Sequence, residues 1–297
     1  MNELNYHPNS LARNLATGSS STIGLVLDAA NESAFSNSFF NRSVYAIERI
    51  LQKNGYSLLI TNDNGKKNSP VCDMIYGQRI DGLIIPSTVS SSSFLKVLKE
   101  QHTPWVMLGE SSFLNENICW VDLDNYQGSK KAVQHLLQMG YKHIVFIADN
   151  AEATFTTRRL AGFKEAMTEN GLSILPEQIL VFNDNFSDLE NRIIQNTKLS
   201  TKPDAYLCSN NILAYHILHA LRKTNYSVPN DIGVITFDNY PIAEYMEPPL
   251  TVIDADTYRL GETAAQLLIN MLKEKETPNI INLVSTDLIV RQSTNKA

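Results

Sequence analysis

The sequence predicts an α/β fold of two Rossmann-like lobes, each built around a parallel sheet, with several chain crossings between them. Three observations lead there. From residue 22 onward short β-branched runs alternate with amphipathic helical stretches, the pattern of βαβ units. The runs are continuously apolar, as strands covered on both faces are. The series occurs twice in succession, and 297 residues at 43% hydrophobic content suffice for two ordinary cores.

Taken in order, strands buried on both faces are expected at 22–27 (TIGLVL), 57–60, 82–85 (GLII), 105–108 and 118–121, with helices near 39–54, 70–77 and 91–101. A helix over 126–139 stops where Gly140 can adopt a left-handed C-cap. The second series has strands at 143–147, 179–182, 205–208 and 233–237, and helices near 155–170, 187–196 and 211–224. The closing strand at 250–253, helix at 258–275 and strand near 284–289 are too few for a third domain, so they are expected to complete the two sheets. The expected division is a linker over 1–21, a first lobe of 22–139 plus 255–280, and a second lobe of 140–254 plus 281–297. Repeated crossings can act as a hinge between rigid lobes. Open α/β sheets bind ligands at the carboxyl ends of their strands, which are expected to face a shared cleft.

Several function classes are excluded. No apolar run reaches the eighteen or so residues of a membrane span, and residues 1–21 have no apolar stretch of a signal peptide, so a cytoplasmic location is expected. Cys72, Cys119 and Cys208 are far apart, odd in number and flanked by apolar residues, the pattern of reduced core thiols. The net charge of −6 argues against broad attraction to phosphate. There is no GxSxG, GxGxxG, Walker or HExxH motif, so no enzyme, cofactor or metal is expected. His216 and His219 have a spacing that could hold a metal, but no third ligand is evident and ordinary helix positions are favoured.

Tyr6-His7-Pro8-Asn9-Ser10-Leu11-Ala12-Arg13-Asn14-Leu15-Ala16-Thr17-Gly18, followed by Thr22-Ile23-Gly24-Leu25-Val26, resembles the junction between head and core in the lactose-repressor/galactose-repressor family of transcription regulators. Further matches follow in order: Gln134-His135-Leu136 with Gly140-Tyr141-Lys142-His143-Ile144, Arg159-Leu160-Ala161-Gly162-Phe163, Asp231-Ile232-Gly233-Val234-Ile235 with Phe237-Asp238, and Pro248-Pro249-Leu250-Thr251-Val252-Ile253. The resemblance covers essentially the whole chain. It implies a type I periplasmic-binding-protein-like architecture and a helix-turn-helix head upstream that this sequence does not contain. It also implies that residues 9–16 form a hinge helix entering the DNA minor groove as a symmetric pair. In that role Asn9 caps, Ala12 permits close helix approach, Arg13 meets phosphate and Leu15 is the wedge. So short a helix is marginal alone and is expected to need DNA; the alternative is an ordinary polar tail.

The family's ligand residues carry over by motif. Arg159 opens the RLAGF helix and offers charge-assisted donors to hydroxyls or a carboxylate, with a surface ion pair as the alternative, whereas Arg158 is expected to point elsewhere. Asp238, at the end of the GVITFD strand, matches the ligand aspartate, although an Asp there can equally be a turn or helix cap. Asn210 matches the asparagine of the family's Asn-Asp pair. Asn211 then departs from the pattern, as do Tyr215 and His216, which replace small neighbours. Asn37 and Phe39 resemble the segment that lays polar groups and an aromatic face over a sugar, the alternative being that Phe39 and Phe40 simply begin a buried helix face. Asp124 with Asn125 matches the Asp-Asn before the long helix, where capping and ligand contact both remain open. Glu110 stands where relatives carry aspartate or arginine, and Phe186 is a candidate second aromatic wall.

The resemblance therefore implies the ligand-sensing and dimerisation core of a repressor. Its partners are a small sugar-like effector, operator DNA through the head and hinge, and a second copy of the chain. Closure on ligand is expected to move the first-lobe surfaces of the homodimer and so change the hinge spacing. The rival expectation, a sugar-binding protein of a transport system, shares the core but calls for an export signal.

Overall fold

A computed structural model of the chain describes residues 18–28, 38–63, 69–89, 94–110, 118–182, 186–199, 201–274 and 281–296. The hinge candidates Asn9, Ala12, Arg13 and Leu15, and the loop residue Asn37, lie outside the described residues, and Phe39 is described by its backbone only. The chain forms two compact units, 1–122 with 257–282 and 123–256 with 283–297.

The first unit holds the strands β1 (Thr22–Asp28), β2 (Ser57–Asp63), β3 (Gly82–Pro86) and β4 (Trp105–Leu108). Its helices are α1 (Ser38–Lys53), α2 (Pro70–Tyr76) and α3 (Phe94–Glu100). With β5 (Trp120–Leu123) and β11 (Ile281–Val284) the sheet order is β11-β5-β4-β3-β1-β2. Ile23, Leu25 and Val26 of β1 are fully buried, as a strand covered on both faces requires. The second strand differs from expectation. As the edge strand, with no outer neighbour among the described residues, β2 has mixed burial, and Ile60 stays 37% exposed. Local chemistry sets the helix starts: the Ser69 hydroxyl caps α2 by accepting from Val71 N at 3.1 Å, with Pro70 in the first turn where its missing N–H is harmless. The long helix α8 (Thr257–Glu274) packs on α1 where Gly261 lets the Ser43 backbone approach; a Cβ at 261 would lie 2.3 Å from the Ser43 carbonyl.

The second unit holds α4 (Asn125–Gln138), β6 (Ile144–Ala148), α5 (Thr154–Glu169), β7 (Ile179–Val181), α6 (Phe186–Asn196), β8 (Ala205–Cys208), α7 (Asn211–Arg222), β9 (Gly233–Phe237), β10 (Thr251–Asp254) and β12 (Asp287–Ile289). The order is β12-β10-β9-β8-β6-β7, parallel except for β12, which runs antiparallel to β10. One face of the sheet is covered by α4 and α5: Ala132, Val133, Leu136 and Phe163 share a core with Phe146, Leu207, Ile235 and Phe237.

Two expectations are corrected. The helix placed in the first lobe, α4, belongs to the second unit, so the division falls at 122/123 instead of 139/140, because the apolar stripe of α4 is buried on the second sheet. The single strand expected near 284–289 is two strands on two sheets. Between them Thr286 is buried over Gly128, and its carbonyl accepts from Lys131 Nζ. Among the described residues no helix is long and apolar enough to cross a membrane.

Candidate functional site

In the second sheet β6 has β7 on one side and β8 on the other, and the chain winds outward in both directions. The loops that leave the carboxyl ends of β6 and β8 therefore diverge, which opens a crevice at that edge. Asp149 follows β6, Ser209 and Asn210 follow β8, and Asp238 follows β9, all at this end. Cys208 pairs in register with Thr236, so the ends of β8 and β9 lie side by side.

Arg159 comes into the same place from α5. It is 4% exposed. Its Nε donates to Asn125 Oδ1 at 2.8 Å, a terminal nitrogen donates to the Ser209 carbonyl, and the guanidinium lies over the Phe237 ring at 3.8 Å and near the Phe155 ring at 5.0 Å. Fixed donors in a plane suit recognition of oxygen-rich molecules. The path that brings Arg159 inward depends on Gly162, one helical turn later. A Cβ at 162 would lie 2.2 Å from the Tyr126 carbonyl, so only glycine lets α5 approach α4 this closely. Asn125, the first residue of α4, orients the guanidinium.

Asp238 stands against this cation. Its backbone is left-handed at φ 72°, a conformation Asp tolerates better than most residues, and its N–H donates to the Ile253 carbonyl at 3.0 Å. Its Oδ1 is buried with no hydrogen-bond partner among the described residues. Burial pushes the Asp238 carboxyl above its ordinary range, Arg159 pulls it down, and Asp254 adds to the rise. A buried carboxylate oxygen with spare acceptor capacity, beside a buried guanidinium, is a place where ligand hydroxyls can supply the missing donors.

Both ends of the Asn210 amide are engaged within the protein. Its Oδ1 caps α7 by accepting from Leu213 N at 3.2 Å, and its Nδ2 donates to Asp149 at 2.5 Å, tying the ends of β6 and β8 together. The departure at Asn211 acquires a partner: Asn211 Nδ2 donates to the Tyr215 hydroxyl at 3.2 Å. Burial raises the Tyr215 phenol above its usual value, helped by Asp238, which places this pair by the same carboxylate.

The remaining candidates have partners of their own. Asp124 is the N-cap of α4, its Oδ1 accepting from Gln127 N at 3.0 Å. Phe186 stacks on His216, with ring centroids 4.4 Å apart and planes within 6°, and packs against the apolar core beside α7. Glu110 lies in the first unit, is 6% exposed, and its N–H donates to Asp122 at 3.0 Å. Arg158 is exposed, as expected.

Five residues of the cluster were not picked out from the sequence: Asp149, Ser209, Phe155, Phe237 and Asp254. Phe155 had a signal, since it lies four residues before Arg159 on one helix face. Asp149 had one also, as an acidic residue directly after an apolar strand. Ser209 contributes only its backbone carbonyl and carried none. Among the described residues no group of three or more His, Cys, Asp and Glu is arranged to hold a metal. His216 and His219 instead turn their Nδ1 atoms to Glu190 Oε1 at 2.8 and 2.9 Å, and Lys223 meets the other oxygen at 2.9 Å.

Residues 133–294 match the family model of a periplasmic binding protein-like domain. The chain is 29% identical over 299 residues to the HTH-type transcriptional repressor PurR of Histophilus somni strain 2336, covering 98% of this chain and 86% of the relative. It is similar to the solved structure of a transcriptional regulator CelR–cellobiose complex, with TM-score 0.81 and 24% identity over 98% of this chain and 88% of the other. It is also similar to a LacI-type regulator from Bacillus cereus subsp. cytotoxis NVH 391-98, with TM-score 0.79 and 26% identity over 93% of this chain and 99% of the other.

Proposed function

The chain belongs to the family of periplasmic binding protein-like domains, on its lactose-repressor side, and from that premise we propose that it is the ligand-sensing and dimerising core of a DNA-binding transcription repressor. The effector is a small polar molecule of the sugar class, held at the carboxyl edge of the second unit's sheet. One observation carries this reading: Arg159 and Asp238 are brought together at the strand ends, where a buried carboxylate oxygen has no hydrogen-bond partner among the described residues and feels the charge of the guanidinium. The cellobiose held by the CelR structure supports the sugar class. The relatives are regulators, which favours gene control over catalysis or delivery of solute to a transporter.

In this reading the protein works in the cytoplasm as a homodimer and meets operator DNA through an upstream head and residues 9–16, with Asn9, Ala12, Arg13 and Leu15 in the hinge parts given above. Asn210, Tyr215 and Phe155 complete the ligand edge, and Asn37, Phe39, Glu110 and Phe186 are subsidiary candidates. Effector and DNA affect each other only through unequal affinity for two conformations, and each shifts the other's affinity by the same factor.

The test is a thermal-shift screen with monosaccharides, disaccharides, sugar phosphates and nucleobases. A ligand present at a hundred times its Kd stabilises the folded form by about 2.7 kcal/mol, which raises Tm by several degrees. A sugar that does so in the wild type and not in Arg159→Ala supports the proposal. A panel that leaves Tm unchanged, or a hit indifferent to Arg159, overturns it.

A further inference from the structure

We propose that Asp81 is the anchor that fixes where the DNA-linking segment leaves the first unit. Its carboxylate, at the mouth of β3, accepts four hydrogen bonds from three consecutive serines. Oδ2 takes the Ser19 hydroxyl at 2.5 Å and the Ser21 N–H at 2.9 Å; Oδ1 takes the Ser20 N–H at 2.7 Å and the Ser20 hydroxyl at 2.9 Å. The Asp81 N–H in turn donates to the Thr22 carbonyl at 2.8 Å, which joins the same turn to β1. An anionic acceptor makes such bonds shorter and stronger than neutral ones.

The backbone is shaped to reach it. Gly18 at φ 67° and Ser21 at φ 51° are both left-handed, and the two residues between them present consecutive N–H and hydroxyl donors to one carboxylate. Ser21 is not glycine, so this conformation costs energy, and its own N–H bond to Asp81 offsets that cost. From Ser21 the chain enters the sheet, where its carbonyl accepts from Ser57 N of β2 at 2.9 Å. The loop before β3, the start of β1 and the start of β2 are thereby joined at residues 19–22.

The consequence is one of length, and it rests on the reading above that residues 9–16 are the hinge. Were the sheet the first fixed point, residues 17–21 would be free, and five residues extend to about 17 Å. With Ser19 held by Asp81, only Thr17 and Gly18 intervene, about 7 Å of chain. Displacements of the first sheet then reach the hinge through a short tether, and Asp81 is a positioning residue for the DNA response.

Single-residue amide exchange on the intact chain decides the anchor without a ligand. In the wild type the amides of Ser20 and Ser21 should exchange at least about tenfold more slowly than in an unprotected chain. In Asp81→Ala they should lose that protection, while Leu25 in β1 and Ile84 in β3 keep theirs. A nitroxide on Thr17→Cys, attached with the native cysteines buried, should give a slow spectrum in the wild type and a fast one with Asp81→Ala. Asp81→Asn, which keeps the size and one acceptor oxygen, should fall between. Unprotected Ser20 and Ser21 amides in the wild type overturn the proposal even if Asp81→Ala does not fold. So does loss of protection spreading through β1 and β3, which marks Asp81 as a sheet residue and not an anchor. A chain that binds nothing in the sugar panel but shows protected Ser20 and Ser21 loses the effector reading and keeps the anchor; the opposite pair of results does the reverse.

Discussion

Arg159→Ala probes the electrostatics of the site through the fold itself, before any effector is known. The guanidinium is 4% exposed and makes hydrogen bonds to Asn125 Oδ1 and the Ser209 carbonyl, with the Phe237 ring 3.8 Å beneath it. Hydrogen bonds to charged groups contribute roughly 1.5–3 kcal/mol each. Removing one member of a buried charge set costs about 3–5 kcal/mol, much of it from the partner left behind. That range is the expected loss at neutral pH. The pH dependence makes the test specific. In the variant Asp238 loses the cation that holds its carboxyl down, while burial and Asp254 continue to push it up. A carboxyl whose pKa is higher in the folded state than unfolded favours folding at low pH and loses that contribution as pH rises through the folded value. The deficit of Arg159→Ala against wild type should therefore be larger at pH 8 than at pH 5, and adding Asp238→Asn should flatten it. Urea unfolding followed by far-UV circular dichroism at the two pH values measures this. Trp105 and Trp120 fluorescence reports the first unit separately. A deficit below about 1 kcal/mol, or one equal at both pH values, refutes the burial argument.

Three further outcomes follow from other contacts. His135 is buried with Nε2 2.7 Å from Thr294 Oγ1, and burial lowers its pKa, so the folded state resists protonation. Its share of stability is present above the ordinary imidazole value of about 6.5 and is lost as pH falls below it; urea midpoints should drop from pH 7 to pH 5, and less so in His135→Gln. Gly162→Ala should destabilise by about 1–3 kcal/mol through its collision with the Tyr126 carbonyl, read as a lowered Tm, and an unchanged Tm would show that α5 and α4 are not in close backbone contact. Glu190 is held down to about 2 by His216, His219 and Lys223. The cluster's contribution is present above the ordinary carboxylate value and fades as pH falls toward about 2. Its partly exposed partners limit it to about 1 kcal/mol, so Glu190→Gln should be slightly less stable than wild type at pH 6 and equal to it in strong acid.

The alternation of apolar runs and helical stretches was enough to place the strands of the parallel ladders, though not the closing pair near 281–289, because a parallel sheet covered by helices demands continuous burial, as in Ile23–Leu25–Val26 and Ile144–Val145–Phe146. It could not say which sheet a helix covers. The stripe Ala132, Val133, Leu136 is equally apolar in either unit, and only the packing with Phe146 and Phe163 assigns α4. Edge position was also hidden, since Leu58, Leu59 and Ile60 read as a buried run although β2 borders the sheet. In the site, Arg159, Asp238 and Asn210 were legible by motif. Asn125 appeared in the sequence beside a capping aspartate, but that it aims Arg159 follows from a contact 34 residues away. The Ser209 carbonyl belongs to the backbone, and no residue type announces it. Tyr215 was visible only as a departure; the Asn211 contact gives it a role.

The most direct measurement is calorimetric titration of the tightest sugar from the screen into wild type and Asp238→Asn. A charge-assisted hydrogen bond from a ligand hydroxyl to the buried Asp238 carboxylate predicts an affinity loss of about tenfold or more, with both proteins folded alike. Equal affinities would place the sugar elsewhere and contradict the site.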